Sequence, residues 1–290
     1  TSTNSSIGLI YALKKIFKFN LMLIKKKIEN ILSYLNLAVS KIDFEEIKNF
    51  IKKIRVKDTS HQLVRIGEKN DGGYLVPKEI LNKNKYLLSA GVGNTTLFEQ
   101  ELKNKYLIDS FMIDHSVNLD FSKYNFIKKK IGYFDNNTSE ITLNSWIESC
   151  KKNHNLNLDE TILKLDIEGF EIEAILNILE EYLSKFTILI VEFHNFASLK
   201  NKISLKIYNI IFDKILKYFE VCHIHPNNQS DVIKIKNLTI PHVMEFTFLN
   251  KRFCSNIKKN NKKKYPLPED AKTINSKKEI VLTKDLIQRN

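Results

Sequence analysis

The chain has 290 residues, of which 43% are hydrophobic, with 18 Phe and 11 Tyr, enough apolar material to exclude a disordered or fibrous polypeptide. Its 46 Lys and Arg against 33 Asp and Glu leave a formal charge of +13, which favours an anionic partner such as a nucleotide-linked substrate, a membrane surface or nucleic acid. Much of that excess is lysine in an Ile/Lys/Asn-rich sequence, and Arg, the better reader of bases and phosphates, is scarce, so nucleic acid is the weakest of the three.

Residues 1–57 are lysine-rich and apolar by turns. IGLIYALKKIFKFNLMLIKKKIENILSYLNL reads as one or two amphipathic helices. Such an extension packs on the main domain or on a second copy of the chain. A basic amphipathic stretch over residues 9–37 also suits peripheral contact with an anionic membrane. In LVRIGEKNDGGYLVP, Leu63 to Pro77, two short apolar runs flank Asn70-Asp71-Gly72-Gly73, a strong hairpin signal. Glycine there lets the backbone come close to a ligand, which singles out Asp71, and Tyr74 as a lid or stacking residue.

From Tyr86 an α/β alternation begins. KYLLSAGVGNTTLFEQEL is an apolar run, then a Gly91-Val92-Gly93 turn, then Asn94-Thr95-Thr96 capping a helix. That arrangement brings backbone and helix N-terminus near a ligand. SFMIDHS is a second strand ending on Asp114, with His115 next; an acid there suits the paired hydroxyls of a ribose. FIKKKIGYFDNN predicts a third strand ending on Asp135. ITLNSWIESC predicts a helix capped by Thr138 or Ser139.

The stretch ILKLDIEGFEIEAILNIL, Ile162 to Leu179, organises the rest. A short apolar run, too short for a helix, ends on Asp166. Glu168-Gly169 turns the chain, and Ile172, Ile175, Leu176 and Leu179 then share one helical face. This describes one unit of a parallel sheet, whose ligands sit beyond the carboxyl ends of the strands. The competing reading is that Asp166 only caps the helix after it.

The fifth strand is FTILIVEFHNF, Phe186 to Phe196, where alternation puts Glu192 and His194 on one side. A helix, SLKIYNIIFDKILKYF, leads to VCHIHPNN, with His223 and His225 on a shared face. PHVMEFTFLN, Pro241 to Asn250, alternates around Glu245 and suits an antiparallel edge. The tail from Lys251 carries the Lys258 to Lys264 run and reads as a surface extension. The expected layout is therefore a helical extension over 1–57, a main domain over 58–250 and a basic extension over 251–290. Cys150, Cys222 and Cys254 are odd in number and lack a Cys-x-x-Cys, which fits a reducing cytoplasm rather than a disulfide framework. No apolar run reaches the roughly 18–20 residues that span a bilayer. Lysines at positions 14, 15, 18 and 25–27 break any leader-like stretch.

Asp166, Glu192, His194, His223 and His225 all fall at or near strand ends on the ligand side. Asp166, His194 or His225 could remove a proton as general base. Asp166, Glu192, His194 and His225 could equally hold Mg2+ or Mn2+, which lowers the pKa of a hydroxyl. A merely hydrogen-bonded structural role is the alternative for each histidine.

Seven strands, a glycine turn after the first, an acid after the second and an antiparallel last strand resemble a class I S-adenosylmethionine-dependent methyltransferase. More narrowly, SAGVGNTTLFEQEL, FMIDHS, ITLNSWIE, LKLDIEGFEIEAIL, ILIVEFHNF and HIHPNN with PHVMEFTF resemble the FkbM family, over about Asn70 to Leu249. The resemblance implies a seven-stranded Rossmann-like α/β sheet with helices on both faces. It also implies methyl transfer from S-adenosylmethionine to a hydroxyl of a sugar or lipid-linked glycan. Asp114 would bind the ribose and Asp135 the adenine amine, with Gly91 and Gly93 at the methionine end and Tyr74, Asn94 and His115 completing the cofactor set. The family often places an acid ahead of the first turn; Ser89 stands there, and Asp71 is the expected substitute for holding the methionine amine. An RNA methyltransferase would want Arg and aromatics interleaved on one face, whereas the basic residues here are lysine runs in the terminal extensions. A dehydrogenase-like nucleotide-binding module would want a third glycine where Thr96 stands.

Overall fold

The computed structural model describes residues 43–93, 95–120, 124–136, 138–254, 265–282 and 286. The helices expected within residues 9–37, Asn94 and the Lys258 to Lys264 run lie outside these.

The described chain opens with helix α1 (Phe44–Lys53), capped by the Asp43 side chain on Glu45 N–H. A hairpin follows, β1 (Leu63–Gly67) and β2 (Gly73–Pro77), paired in register from Leu63–Pro77 to Gly67–Gly73. Then come α2 (Lys78–Leu81), β3 (Tyr86–Ala90), α3 (Leu97–Tyr106), β4 (Asp109–Ile113) and β5 (Asn125–Ile127). A separate ribbon of β6 (Lys130–Ile131) and β7 (Glu140–Ile141) precedes α4 (Leu143–His154). The second half runs β8 (Thr161–Leu165), α5 (Glu171–Asn177), α6 (Glu180–Leu183), β9 (Ile188–Phe193), α7 (Lys202–Tyr218) and β10 (Phe219–Pro226). A small ribbon, β11 (Val232–Ile235) with β12 (Leu238–Pro241), leads to β13 (Met244–Asn250).

Seven strands form one sheet in the order β10-β13-β9-β8-β3-β4-β5. β3, β4, β5, β8 and β9 are parallel, and β13 runs antiparallel to both its neighbours. β8 and β9 are buried at every position, so they read as mainly apolar runs, each holding one charged residue, rather than alternating ones. On one face the hairpin, α2 and α3 cover Leu87, Ile162, Ile188 and Ile190 through Tyr74, Val76, Phe98 and Leu102. On the other, Phe193, Phe246 and Phe248 meet Phe212 of α7, and α1 adds Phe50, whose ring is edge-on to Phe212 at 5.3 Å.

Several sequence expectations are corrected here. β13 is antiparallel as expected but is not an edge; it lies between β9 and β10. Its polar positions are explained by partners: Thr247 donates to the Leu75 carbonyl, and Glu245 pairs with His225. The third strand ends at Ile127 rather than Asp135, because the chain leaves the sheet there to build the β6–β7 ribbon. Thr142, not Thr138 or Ser139, caps α4. The helix after Asp166 stops at Asn177, and Leu179 is the N-cap of α6. Within the helix the buried face is Glu171, Ala174 and Ile175, continued by Ile178, one position earlier than the expected stripe, so Leu176 and Leu179 are exposed. Asp43–Asn290 form one compact unit. The tail is more than a surface extension, since Tyr265, Leu267 and Leu282 are buried. None of the three cysteines is disulfide-bonded. Among the described residues no helix is long and apolar enough to cross a membrane.

Candidate active site

Gly91, Asp114, Asp166 and His194 are each the first residue past the carboxyl end of β3, β4, β8 and β9. β3 is flanked by β4 on one side and β8 on the other, so the chain leaves it in opposite directions. Such a switch point opens a crevice at the strand ends. The crevice is a cleft of about 580 Å³ lined by those four residues and by Asp71, Glu168 and Glu192 among others. Five carboxylates therefore line it (Asp71, Asp114, Asp166, Glu168, Glu192), and among the described lining residues there is no Lys or Arg. The basic excess of the chain lies elsewhere.

On the β3–β4 side, Gly91 has φ +77°, and a Cβ there would stand 1.6 Å from the Asp166 carbonyl oxygen. Glycine is thus demanded by the neighbouring strand's own backbone, in addition to any ligand. Gly93 faces open space, with nothing within 4 Å of where a Cβ would sit. Asp114 Oδ2 accepts the N–H groups of Val92 and Gly93 at 2.8 and 3.1 Å, and its Oδ1 accepts Ser116 N–H and Oγ–H. Burial pushes this carboxyl up, but those hydrogen bonds outweigh it and hold its pKa below the usual range. Asp114 fixes the glycine turn as well as facing the cleft. Asp71 comes over from the hairpin loop; burial, then the charges of Asp166 and Glu245, raise its pKa.

On the β8–β9 side, the Asp166 Oδ2 accepts the Tyr74 hydroxyl at 2.8 Å. Tyr74 is buried, its ring edge-on to Phe98 at 5.4 Å. It is no lid; it props Asp166 from the core. Asp166 does not cap α5 either. The start of that helix is held by Glu171, whose Oε1 accepts Ile167 N–H, Gly169 N–H and His194 Nδ1–H at 3.0, 3.1 and 3.0 Å. A carboxylate only accepts, so Nδ1 carries the proton and Nε2 points at Glu168 Oε2, 3.3 Å away. Burial lowers the His194 pKa, but the Glu171 bond and charge, then Asp166 and Glu168, overcome this and raise it to about 9. Glu192 is buried and accepts from Asn227 Nδ2 at 2.8 Å. Desolvation, then the charges of Asp166 and Glu245, push its pKa well up.

Asp166, Glu192 and His194 are brought together, each offering a ligating atom within 4.8 Å of the others. His225 is not with them. It is sealed beneath the C-terminal segment, with Nδ1 3.4 Å from Glu245 and Nε2 3.6 Å from Glu279. His223 likewise faces Asp270 at 3.0 Å. His115 is exposed and outside the cleft lining, and Asp135 accepts from Thr142 N–H and Ser145 Oγ–H at the start of α4. Sequence reasoning missed Glu171, Asn227 and Lys164. Lys164 is 3% exposed in β8, donates to the Gly91 carbonyl, and has its ammonium 3.9 Å from Asp166 Oδ2 and 5.5 Å from the centre of the Tyr74 ring. A lone lysine inside an apolar strand was the available signal, because a buried ammonium needs partners.

No family model matches the chain, and no curated protein matches it. Solved structures that match include a DNA modification methyltransferase encoded within a prophage of E. coli, at 13% identity and a TM-score of 0.38. The match covers 60% of this chain and 49% of that one, so this chain spans about half of that structure's length. At that score the likeness carries no weight for activity; the strand order above stands on its own.

Proposed function

We propose that the protein is an S-adenosylmethionine-dependent O-methyltransferase of the FkbM type. Its acceptor would be a hydroxyl of a sugar, nucleotide-linked or within a glycan, in cytoplasmic surface-polysaccharide or related biosynthesis. One observation carries the reading: Asp114 and the Asp166–Glu192–His194 group line the same cleft at the switch point of a parallel sheet. S-adenosylmethionine, when bound, supplies an electrophilic methyl group on a sulfonium.

The chain's residues supply the rest. Asp114 receives ribose hydroxyls while its other bonds keep it ionised. The carboxylate lining, Asp71 included, suits the cationic methionine end. The carboxylates beside His194 receive the acceptor's hydroxyl proton, because His194 itself holds a proton until about pH 9. The shape of the cleft holds oxygen against methyl, which alone supplies several kcal/mol. With no Lys or Arg among the described lining residues, the reacting end of the acceptor is an uncharged hydroxyl, and any phosphate stays outside. The same lining disfavours RNA, which wants a positive groove.

Calorimetry tests the donor half: Asp114→Ala should weaken S-adenosylmethionine binding by about 1.5–3 kcal/mol, the scale of a hydrogen bond to a charged group. Unchanged affinity would remove Asp114 from the site. Labelled methyl appearing in RNA, and in none of a panel of nucleotide sugars and glycans, would reject the acceptor class.

A further inference from the structure

We infer that Asp166, Glu192 and His194 form a divalent-cation site of the Mg2+ or Mn2+ type in the cleft. A ligating atom from each lies within 4.8 Å of the other two. Two carboxylates and one imidazole make an oxygen-rich set, and Mg2+ or Mn2+ bound this way keeps the remaining positions for water or substrate oxygens.

Two further features point to a ligand there. Glu192 is 4% exposed and lines the cleft, yet the described hydrogen bond to its carboxylate is one, from Asn227 to Oε1. Glu192 thus sits buried beside Asp166 with one described hydrogen bond, and two carboxylates this close are stabilised by a shared cation or proton. The second feature is the support behind His194. Glu171, 1% exposed, takes the Nδ1 proton and the two turn N–H groups on one oxygen, fixing the ring with Nε2 toward the cleft. A carboxylate behind one ring nitrogen is how ligating histidines are usually oriented. Lys164 pairs with Asp166 at 3.9 Å while its hydrogen bond goes to the Gly91 carbonyl, and no ion pair from it to Glu192 is described. His225 is excluded from the set by its own partners, Glu245 and Glu279.

The role of the ion rests on the methyl-transfer reading; its presence does not. With the ion in place, an acceptor hydroxyl on it would have a lowered pKa and would pass its proton to Glu168, the cleft carboxylate beside His194 that is not a ligand. The acceptor oxygen then forms the bond to the methyl carbon of S-adenosylmethionine as the methyl–sulfur bond breaks, the pair remaining on a now neutral sulfur.

The test is Mn2+ alone added to the full chain, with no donor or acceptor present, followed by electron paramagnetic resonance of the free ion. One Mn2+ bound per chain, displaced by excess Mg2+, is expected. Glu192→Gln and His194→Ala should abolish it, and Glu171→Gln should weaken it by about 10–100-fold, the usual loss when a supporting carboxylate is removed. Circular dichroism identifies any variant that fails to fold, and Glu171→Gln, which leaves all three ligands in place, then decides. No bound Mn2+ at millimolar ion, or binding unchanged in the folded variants, overturns the site. S-adenosylmethionine calorimetry on the same samples separates the two readings: donor binding without Mn2+ binding sinks the ion alone.

Discussion

His194, just past the end of β9, and His225, within β10, lie two strands apart with β13 between, each beside buried carboxylates. β13 links them, because Glu245 is paired in register with both Glu192 and His225. The imidazole pKa values are raised alike, to about 9 and about 10, burial opposing and carboxylates prevailing in each case. What differs is the cover. His194 keeps 20% of its side chain exposed and opens on the cleft, whereas His225 keeps 2% and lies under the segment 265–282. That segment is tied down by His223 on Asp270, by Asn228 exchanging two hydrogen bonds with the Ile274 backbone, and by Lys277 on the Gln229 carbonyl. The same residue types give an accessible group in one place and an internal ion pair in the other. A strongly perturbed histidine therefore marks a reactive site only where solvent or substrate can reach it.

Removing the sealed histidine has the largest expected effect. His225→Gln leaves Glu245 and Glu279 without their cation, and urea unfolding should show a loss of about 3–5 kcal/mol, the cost of an unpaired buried charge. An unchanged midpoint would mean that the pair holds nothing together. Next in size is Asp166→Asn. It should leave the melting temperature and donor affinity nearly unchanged while turnover falls by about 10² or more, the scale of lost acid–base help. A folded and fully active Asn variant would strip Asp166 of any part in the chemistry.

The smallest effect is in pH. The folded-state pKa of His225 is raised from 6.5 to about 10 through Glu245, Glu279 and Asp270. Its stabilisation is therefore complete below about 6.5 and is lost as pH rises through about 10. The stability gap between the native chain and His225→Gln should narrow across that upper range. A gap that is flat from pH 7 to 10.5 would show that His225 is neutral in the folded protein.

Much of the fold was legible because local signals agreed with one another. Mainly apolar runs marked β8 and β9, Asn70-Asp71-Gly72-Gly73 marked the hairpin turn, and the residue closing each run, Asp114, Asp166 and nearly His194, fell at the sheet's carboxyl edge. The misses share a cause. Asp135 looked like a strand end because a short ribbon imitates a strand in sequence, and Leu179 looked like core because a helix break is invisible to periodicity. Tyr74 looked like a lid because an aromatic after two glycines carries no sign of which way it faces.

By itself the sequence determined the alternation of strands and helices, and it placed acids and histidines where parallel strands end. That follows because strand and helix periods are local properties of a few consecutive side chains. Which of those groups share a cleft was decided only by tertiary structure. Asp166, Glu192 and His194 come from two strands and meet because β8 and β9 are neighbours in register. His225 is withdrawn from them by a segment some fifty residues later in the chain, as its partner Glu279 and the neighbouring His223–Asp270 pair show. Burial and charge pairing depend on what packs over a residue from a distance, and no spacing along the chain records that.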